Sequence, residues 1–124
     1  GLDGTVSFLG GFPAQDVLSH LQACDALVHS SRSETFGVVM AEAMSCGKPV
    51  VATRCGGSEY IVTPENGILV DKEDPAALAE GMRALMENIS TYKPDAVRRS
   101  VVERFGRDAF IENISAVYGD LLSR

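Results

Sequence analysis

Two carboxylates eight residues apart, Glu34 and Glu42, bracket the stretch of this sequence that could do small-molecule chemistry, Ala26–Gly47. A carboxylate only accepts hydrogen bonds, which suits it to gripping a vicinal diol. Between the two, Thr35-Phe36-Gly37 leads into a predicted helix whose first N–H groups lack an intrahelical partner and favour an anion. Gly37 has no Cβ, so a phosphate can approach the backbone there. If most of the interval is helical, the carboxylates stand about 12 Å apart along the axis, near one face, at a rise of about 1.5 Å per residue. Hydroxyls at both ends and phosphate in the middle is the layout of a nucleotide sugar. On the residues alone this is suggestive, not specific. Paired glutamates also occur on solvated helices, and Glu34 reads equally as a carboxylate favoured by the helix dipole.

The elements that must hold this turn follow from pattern. Ala26-Leu27-Val28 reads as a short buried strand, and the helix after the turn carries Phe36, Val39, Met40, Ala43 and Met44 inward. Gly47 caps that helix and Lys48-Pro49 stops it. Pro49–Thr53 is a continuous apolar run, as in a strand covered on both faces of a parallel sheet. Upstream, Val6, Phe8 and Leu9 read as a strand ended by Gly10-Gly11, followed by a helix over Gln15–Ala23. Downstream come a helical turn at Ser58–Val62 and an Asn66-Gly67 turn into the strand Ile68–Val70. A helix capped by Asp74-Pro75 follows, then one opened by Pro94, and a last amphipathic helix over Asp108–Leu122. The sum is α/β: a Rossmann-like open parallel sheet of about four strands with flanking helices. Ligands of such sheets sit outside the carboxyl ends of the strands, here at Gly10–Pro13, Ser30–Gly37 and Thr53–Ser58.

At 124 residues the chain is one domain at most, residues 1–124. A net charge of −6 excludes nucleic acid and anionic membrane as partners attracted by the overall field. Three cysteines, Cys24, Cys46 and Cys55, have neither CxxC spacing nor a histidine cluster, which argues against zinc and for a reducing, cytoplasmic setting. No apolar run approaches a membrane span, so the reading is a soluble protein.

The segments VSFLGGF, SSRSETFGVVMAEAMSCGKPVVATRCGG and NGILV, in that order, resemble the C-terminal half of the retaining glycosyltransferases of group 1, which have the two-domain GT-B fold. The family's E-x7-E signature matches Glu34 and Glu42 in spacing and context. The resemblance implies a domain that binds a nucleotide-diphosphate sugar and transfers a hexose with retention, without a metal or other cofactor; there is no DxD motif. By it, Glu34 contacts the donor sugar as the catalytic carboxylate. Thr35 and the Phe36, Gly37 and Val38 amides meet the sugar or diphosphate, and Glu42 holds the ribose. The turn at Phe12 sits near the base.

Two departures matter. Ser30 stands where the family usually has proline. The family's C-terminal domain also begins with two further strands, leading to an Arg and a Lys that hold the diphosphate, and neither these nor the N-terminal acceptor domain is matched here. The expectation is therefore a partial GT-B C-terminal domain, inactive by itself. Its carbohydrate or lipid-linked acceptor is met through the N-terminal domain, at the inner membrane face if that domain takes it there. In the family's strand order, the strand near Phe8 loses its neighbours, so it should pair beside Ala26–Val28 or leave an edge for self-association. A non-catalytic nucleotide-binding or assembly module is the alternative, and a GT-B epimerase is disfavoured because E-x7-E is not its signature. Gly56-Gly57 reads as a plain turn or a pocket wall, and Arg32 and Arg54, near the strand ends, as phosphate contacts or, as for most such arginines, merely exposed cations. His20 and His29 read as surface or packing residues, because neither has a recognisable orienting carboxylate.

Overall fold

The computed structural model describes residues 1–11 and 13–124. In chain order the elements are α1 (Ala14–Ala23), β1 (Leu27–His29), α2 (Val38–Ser45), β2 (Val50–Thr53) and α3 (Gly57–Ile61). Then come β3 (Gly67–Val70), α4 (Pro75–Glu87), α5 (Pro94–Phe105) and α6 (Arg107–Leu122), with a 3-10 turn at Ile89–Thr91. The strands are parallel in the order β1-β2-β3, with Leu27 opposite Val50 and Val51 opposite Ile68.

The apolar run at β2 is the centre of the sheet, and all four of its residues are buried. Side chains of a strand alternate between faces. Val50 and Ala52 enter a cluster with Met40 and Met44 of α2, Ile61 of α3, and Val97 and Val101 of α5. Val51 turns the other way, onto Val70 of β3 and Leu85 of α4. Three layers result, with α2 and α5 on one face and α4 on the other. Met40, Ala43 and Met44 keep the helical spacing that buries one side of α2. Phe36 and Val39 are only half-buried, because Phe36 precedes the helix and Val39 flanks the buried stripe. At α4 the Asp74 carboxylate accepts from the Ala77 N–H at 2.9 Å, and Pro75 occupies the first turn.

Two expectations change. Val6–Leu9 is not a strand: Phe8 is 97% exposed, and the sheet among the described residues has three strands rather than four. A strand is held by a neighbouring ladder, and no strand lies beside this segment to complete its hydrogen bonds. It therefore does not pair beside β1. The last helix forms as expected, yet no residue of α6 is buried, and Phe110, Val117, Tyr118 and Leu121 stay exposed while the helix leans on α5. No helix among the described residues is long and apolar enough to cross a membrane.

Met44 is fully buried beneath the turn, whereas Met86 on α4 is 70% exposed. Met44→Ala is expected to cost about 2–5 kcal/mol of unfolding free energy. Met86→Ala should stay within about 0.5 kcal/mol. Urea unfolding of both variants measures the difference.

Candidate functional site

The site forms where β1 and β2 end. β1 delivers residues 30–37 and β2 delivers residues 54–56, and the two loops are cross-linked through main chain. The Glu34 N–H donates to the Cys55 carbonyl at 2.9 Å, and the Gly57 N–H donates to the Glu34 carbonyl at 2.7 Å. Glu34 and Gly56 thus form an isolated parallel bridge beyond the sheet. The buried Thr53 hydroxyl adds a third link, donating to the Ser31 carbonyl at 2.5 Å. The second loop is braced from within. The buried Ser58 hydroxyl accepts from the Cys55 N–H at 3.2 Å and donates to the Thr53 carbonyl, and the Gly56 N–H donates to the Glu59 carboxylate at 3.2 Å.

Glycine makes this close approach possible. Gly56 has φ +100°, and a Cβ there would stand 2.7 Å from the Glu34 carbonyl oxygen. A Cβ on Gly57 would meet the Phe36 backbone at 2.6 Å. The pair is therefore neither a plain turn nor only a pocket wall: it is the contact surface between the two loops.

With its backbone fixed, the Glu34 side chain has two neighbours, the Thr35 N–H and the His29 ring. Its Oε1 accepts from the Thr35 N–H at 3.1 Å, and its Oε2 lies 3.3 Å from His29 Nε2. The carboxylate keeps 29% of its side-chain surface open, so lone pairs remain for a ligand hydroxyl. The reading of His29 as a residue without an orienting carboxylate is corrected here. The partner is Glu34 itself, five residues on, and only the fold of the loop brings them together.

The start of α2 leaves free N–H groups, as helix ends do. Gly37 is the left-handed N-cap of α2, with φ 90°. The Phe36, Gly37, Val38 and Val39 N–H groups have no hydrogen-bond partner among the described residues. The Phe36 ring packs edge-on against Phe105, with centroids 5.2 Å apart, while its N–H stays unpartnered among the described residues.

Glu42 lies elsewhere. Only Val38 onward is helical, and Glu42 follows Val38 by four residues on the same face of α2. Both line an open groove of about 700 Å³ between α1, α2 and the start of α5, with Leu18, Gln22, Lys48 and Arg98. Glu34, Thr35, Phe36, Gly37 and Val38 are thus contiguous, and Glu42 continues the site along the α1 side rather than sharing one cavity with Glu34. Phe12, assigned to the base, lies outside the described residues. Arg32 and Arg54 stand at the same end of the sheet. Each is paired with an exposed carboxylate, Arg32 with Glu73 at 3.3 Å and Arg54 with Asp71 at 3.5 Å.

A three-stranded parallel sheet with a polar turn and free N–H groups at its carboxyl ends defines a ligand-binding domain of the open α/β class. Residues 1–88 match the family Glycosyl transferases group 1, and the chain belongs to it. The D-inositol 3-phosphate glycosyltransferase of Corynebacterium diphtheriae is 36% identical over 97% of this chain and 29% of its own length. Among solved structures, the sucrose-phosphate synthase of Thermosynechococcus elongatus superposes with a TM-score of 0.84 at 30% identity, over 98% of this chain and 31% of that one. The Anabaena protein HepE, solved in complex with UDP, superposes with a TM-score of 0.83 at 32% identity, over 96% of this chain and 33% of that one. These neighbours are GT-B glycosyltransferases. The chain spans about a third of the length of the curated relatives it matches.

Gly57→Ala should force the two loops apart and cost about 1–3 kcal/mol. Amide hydrogen exchange is expected to speed up at Glu34 and Gly57 while the β2–β3 ladder keeps its protection. A Gly57→Ala chain with unchanged exchange at both amides would contradict the clamp.

Proposed function

We propose that this chain is the donor-binding part of a glycosyltransferase that moves a hexose from a nucleotide-diphosphate sugar to an acceptor hydroxyl. The observation that carries the proposal is the juxtaposition at the end of β1. A carboxylate held by main-chain clamps stands next to the unpartnered N–H groups at the start of α2. Family membership and the complexes of HepE with UDP and with UDP-glucose support it.

In this reading Glu34 accepts hydrogen bonds from hydroxyls of the donor sugar beside the anomeric carbon. The Phe36–Val38 amides face the sugar or the diphosphate, with Thr35 at their edge, and Glu42 accepts from the ribose diol in the α1 groove. Transfer breaks the bond between the anomeric carbon and the diphosphate oxygen and forms one to the acceptor oxygen. The acceptor's proton passes to the leaving diphosphate as both stay on one face of the sugar, so configuration is retained. No metal takes part. The charge that develops on the leaving group needs cationic donors aimed at it. Arg32 and Arg54 stand beside carboxylates and Lys72 on the Arg32 carbonyl, and in this reading the clamp comes from another part of the full-length protein, as does the acceptor site for a carbohydrate or lipid-linked sugar. The protein works in the cytoplasm. Alone, the chain binds donor weakly and does not turn it over, and the free edge of β1 is open to pairing with a second copy.

Isothermal titration with UDP and UDP-glucose tests the proposal. Glu42→Ala should weaken both ligands about tenfold or more, the loss of a hydrogen bond to a charged group. Glu34→Ala should weaken UDP-glucose and spare UDP. Binding indifferent to both substitutions would remove the donor-site reading.

A further inference from the structure

We propose that His29 is a positioning residue for Glu34: its imidazole carries its proton on Nε2, donates it to the carboxylate, and holds that carboxylate for the hydroxyls of a donor sugar. The inference rests on the donor-site reading above and deepens it by assigning a residue outside the E-x7-E signature to sugar recognition.

The geometry is specific. His29 is the last residue of β1 and shares the face of Leu27, the face turned toward α2. Its main chain is held on both sides of the strand end, opposite Ala52 in the ladder and with its carbonyl 3.4 Å from the Thr53 hydroxyl. The ring is 86% removed from solvent, its side chain keeping 14% exposure, and Nε2 lies 3.3 Å from Glu34 Oε2. The other nitrogen, Nδ1, is buried and has no hydrogen-bond partner among the described residues. A proton on Nδ1 would be a buried donor with nothing to receive it, whereas a proton on Nε2 meets a carboxylate. The two nitrogens of a histidine are assigned by such partners, and here both point to the same tautomer.

The arrangement is a poor choice for packing alone. A leucine at the end of β1 would fill the same half-apolar site without burying a nitrogen that finds no partner. What the imidazole supplies is a fixed direction. Glu34 Oε1 is already turned to the Thr35 N–H, and the His29 contact to Oε2 settles the remaining rotation of the carboxylate plane. The part of the carboxylate that stays open, 29% of the side-chain surface, is then left for a ligand. A ligand hydroxyl meets an acceptor that need not be ordered on binding.

Two measurements on this chain decide the matter. Nitrogen-15 NMR of the ring in mildly alkaline buffer should show Nε2 protonated and Nδ1 bare. The reverse assignment, or free exchange between the two tautomers, would overturn the contact. Titrations with UDP and UDP-glucose then compare His29→Leu with His29→Gln, whose amide nitrogen can reach Glu34 as Nε2 does. His29→Leu should lower the affinity for UDP-glucose relative to UDP by about tenfold, and His29→Gln should recover most of that ratio. Equal losses for both ligands, or a ratio unmoved by leucine, would reduce His29 to a structural residue. Failure of the unsubstituted chain to bind either ligand would instead strike the donor-site reading, and the sugar-positioning role with it. The ring assignment would still report the contact by itself.

Discussion

Everything at this site depends on one constraint: the main chain of Glu34 is hydrogen-bonded on both sides to the loop after β2, through the Cys55 carbonyl and the Gly57 N–H. The loops can come that close only because positions 56 and 57 carry no Cβ. An isolated parallel bridge, Glu34 with Gly56, stands beyond the last regular pair of His29 with Ala52, at the place where a ligand of an open α/β fold binds. The side chain is then placed by what the clamp leaves next to it, the Thr35 N–H and the His29 ring. A carboxylate on an untethered loop would have to be ordered on binding, at a cost taken from affinity. Here that ordering is done by the fold.

The layers beneath serve the same end. β2 is buried on both faces, and its last residue, Thr53, ties back to the first loop through its hydroxyl. Met40 and Met44 anchor α2 against β2 and α5, so the free N–H groups at its start are held relative to the sheet. The Phe36 ring locks the same turn to Phe105 at the end of α5. Electrostatics is the part the chain leaves open. It is acidic overall; of the cations at the carboxyl edge, Arg32 and Arg54 sit beside Glu73 and Asp71, and the Lys72 ammonium donates to the Arg32 carbonyl. In the proposed reading the site meets hydroxyls with its carboxylates and presents amides, and a diphosphate's charge would be met by other parts of the full-length protein.

Much of this was legible in the sequence where local chemistry decides it. The run Pro49–Thr53 announced a strand covered on both faces, Asp74-Pro75 a capped helix, and the set Phe36, Val39, Met40, Ala43 and Met44 an inward face of which Met40, Ala43 and Met44 form the buried stripe of α2. The turn Thr35–Gly37 could be read as an anion-favouring helix start because helix ends leave N–H groups unpaired whatever surrounds them. What was not legible is set by contacts between distant segments. Val6–Leu9 has the composition of a strand, but a strand exists only beside a neighbour. His29 and Glu34 are five residues apart, a spacing that carries no signal in an irregular loop. Gly56-Gly57 advertised a turn, whereas its role is to admit the backbone of Glu34 and Phe36, which no periodicity encodes. The exposed face of α6 could be read as amphipathic, but not as uncovered.

The most direct test of the account is a map of amide chemical-shift changes as UDP-glucose is added to the isotopically labelled chain. The account predicts the largest changes at Glu34–Val38 and Gly56–Gly57, a second group along the Val38–Glu42 face of α2, and little change in α4 or α6. Changes centred on α4 or on the apolar face of α6, with Glu34–Val38 silent, would contradict it.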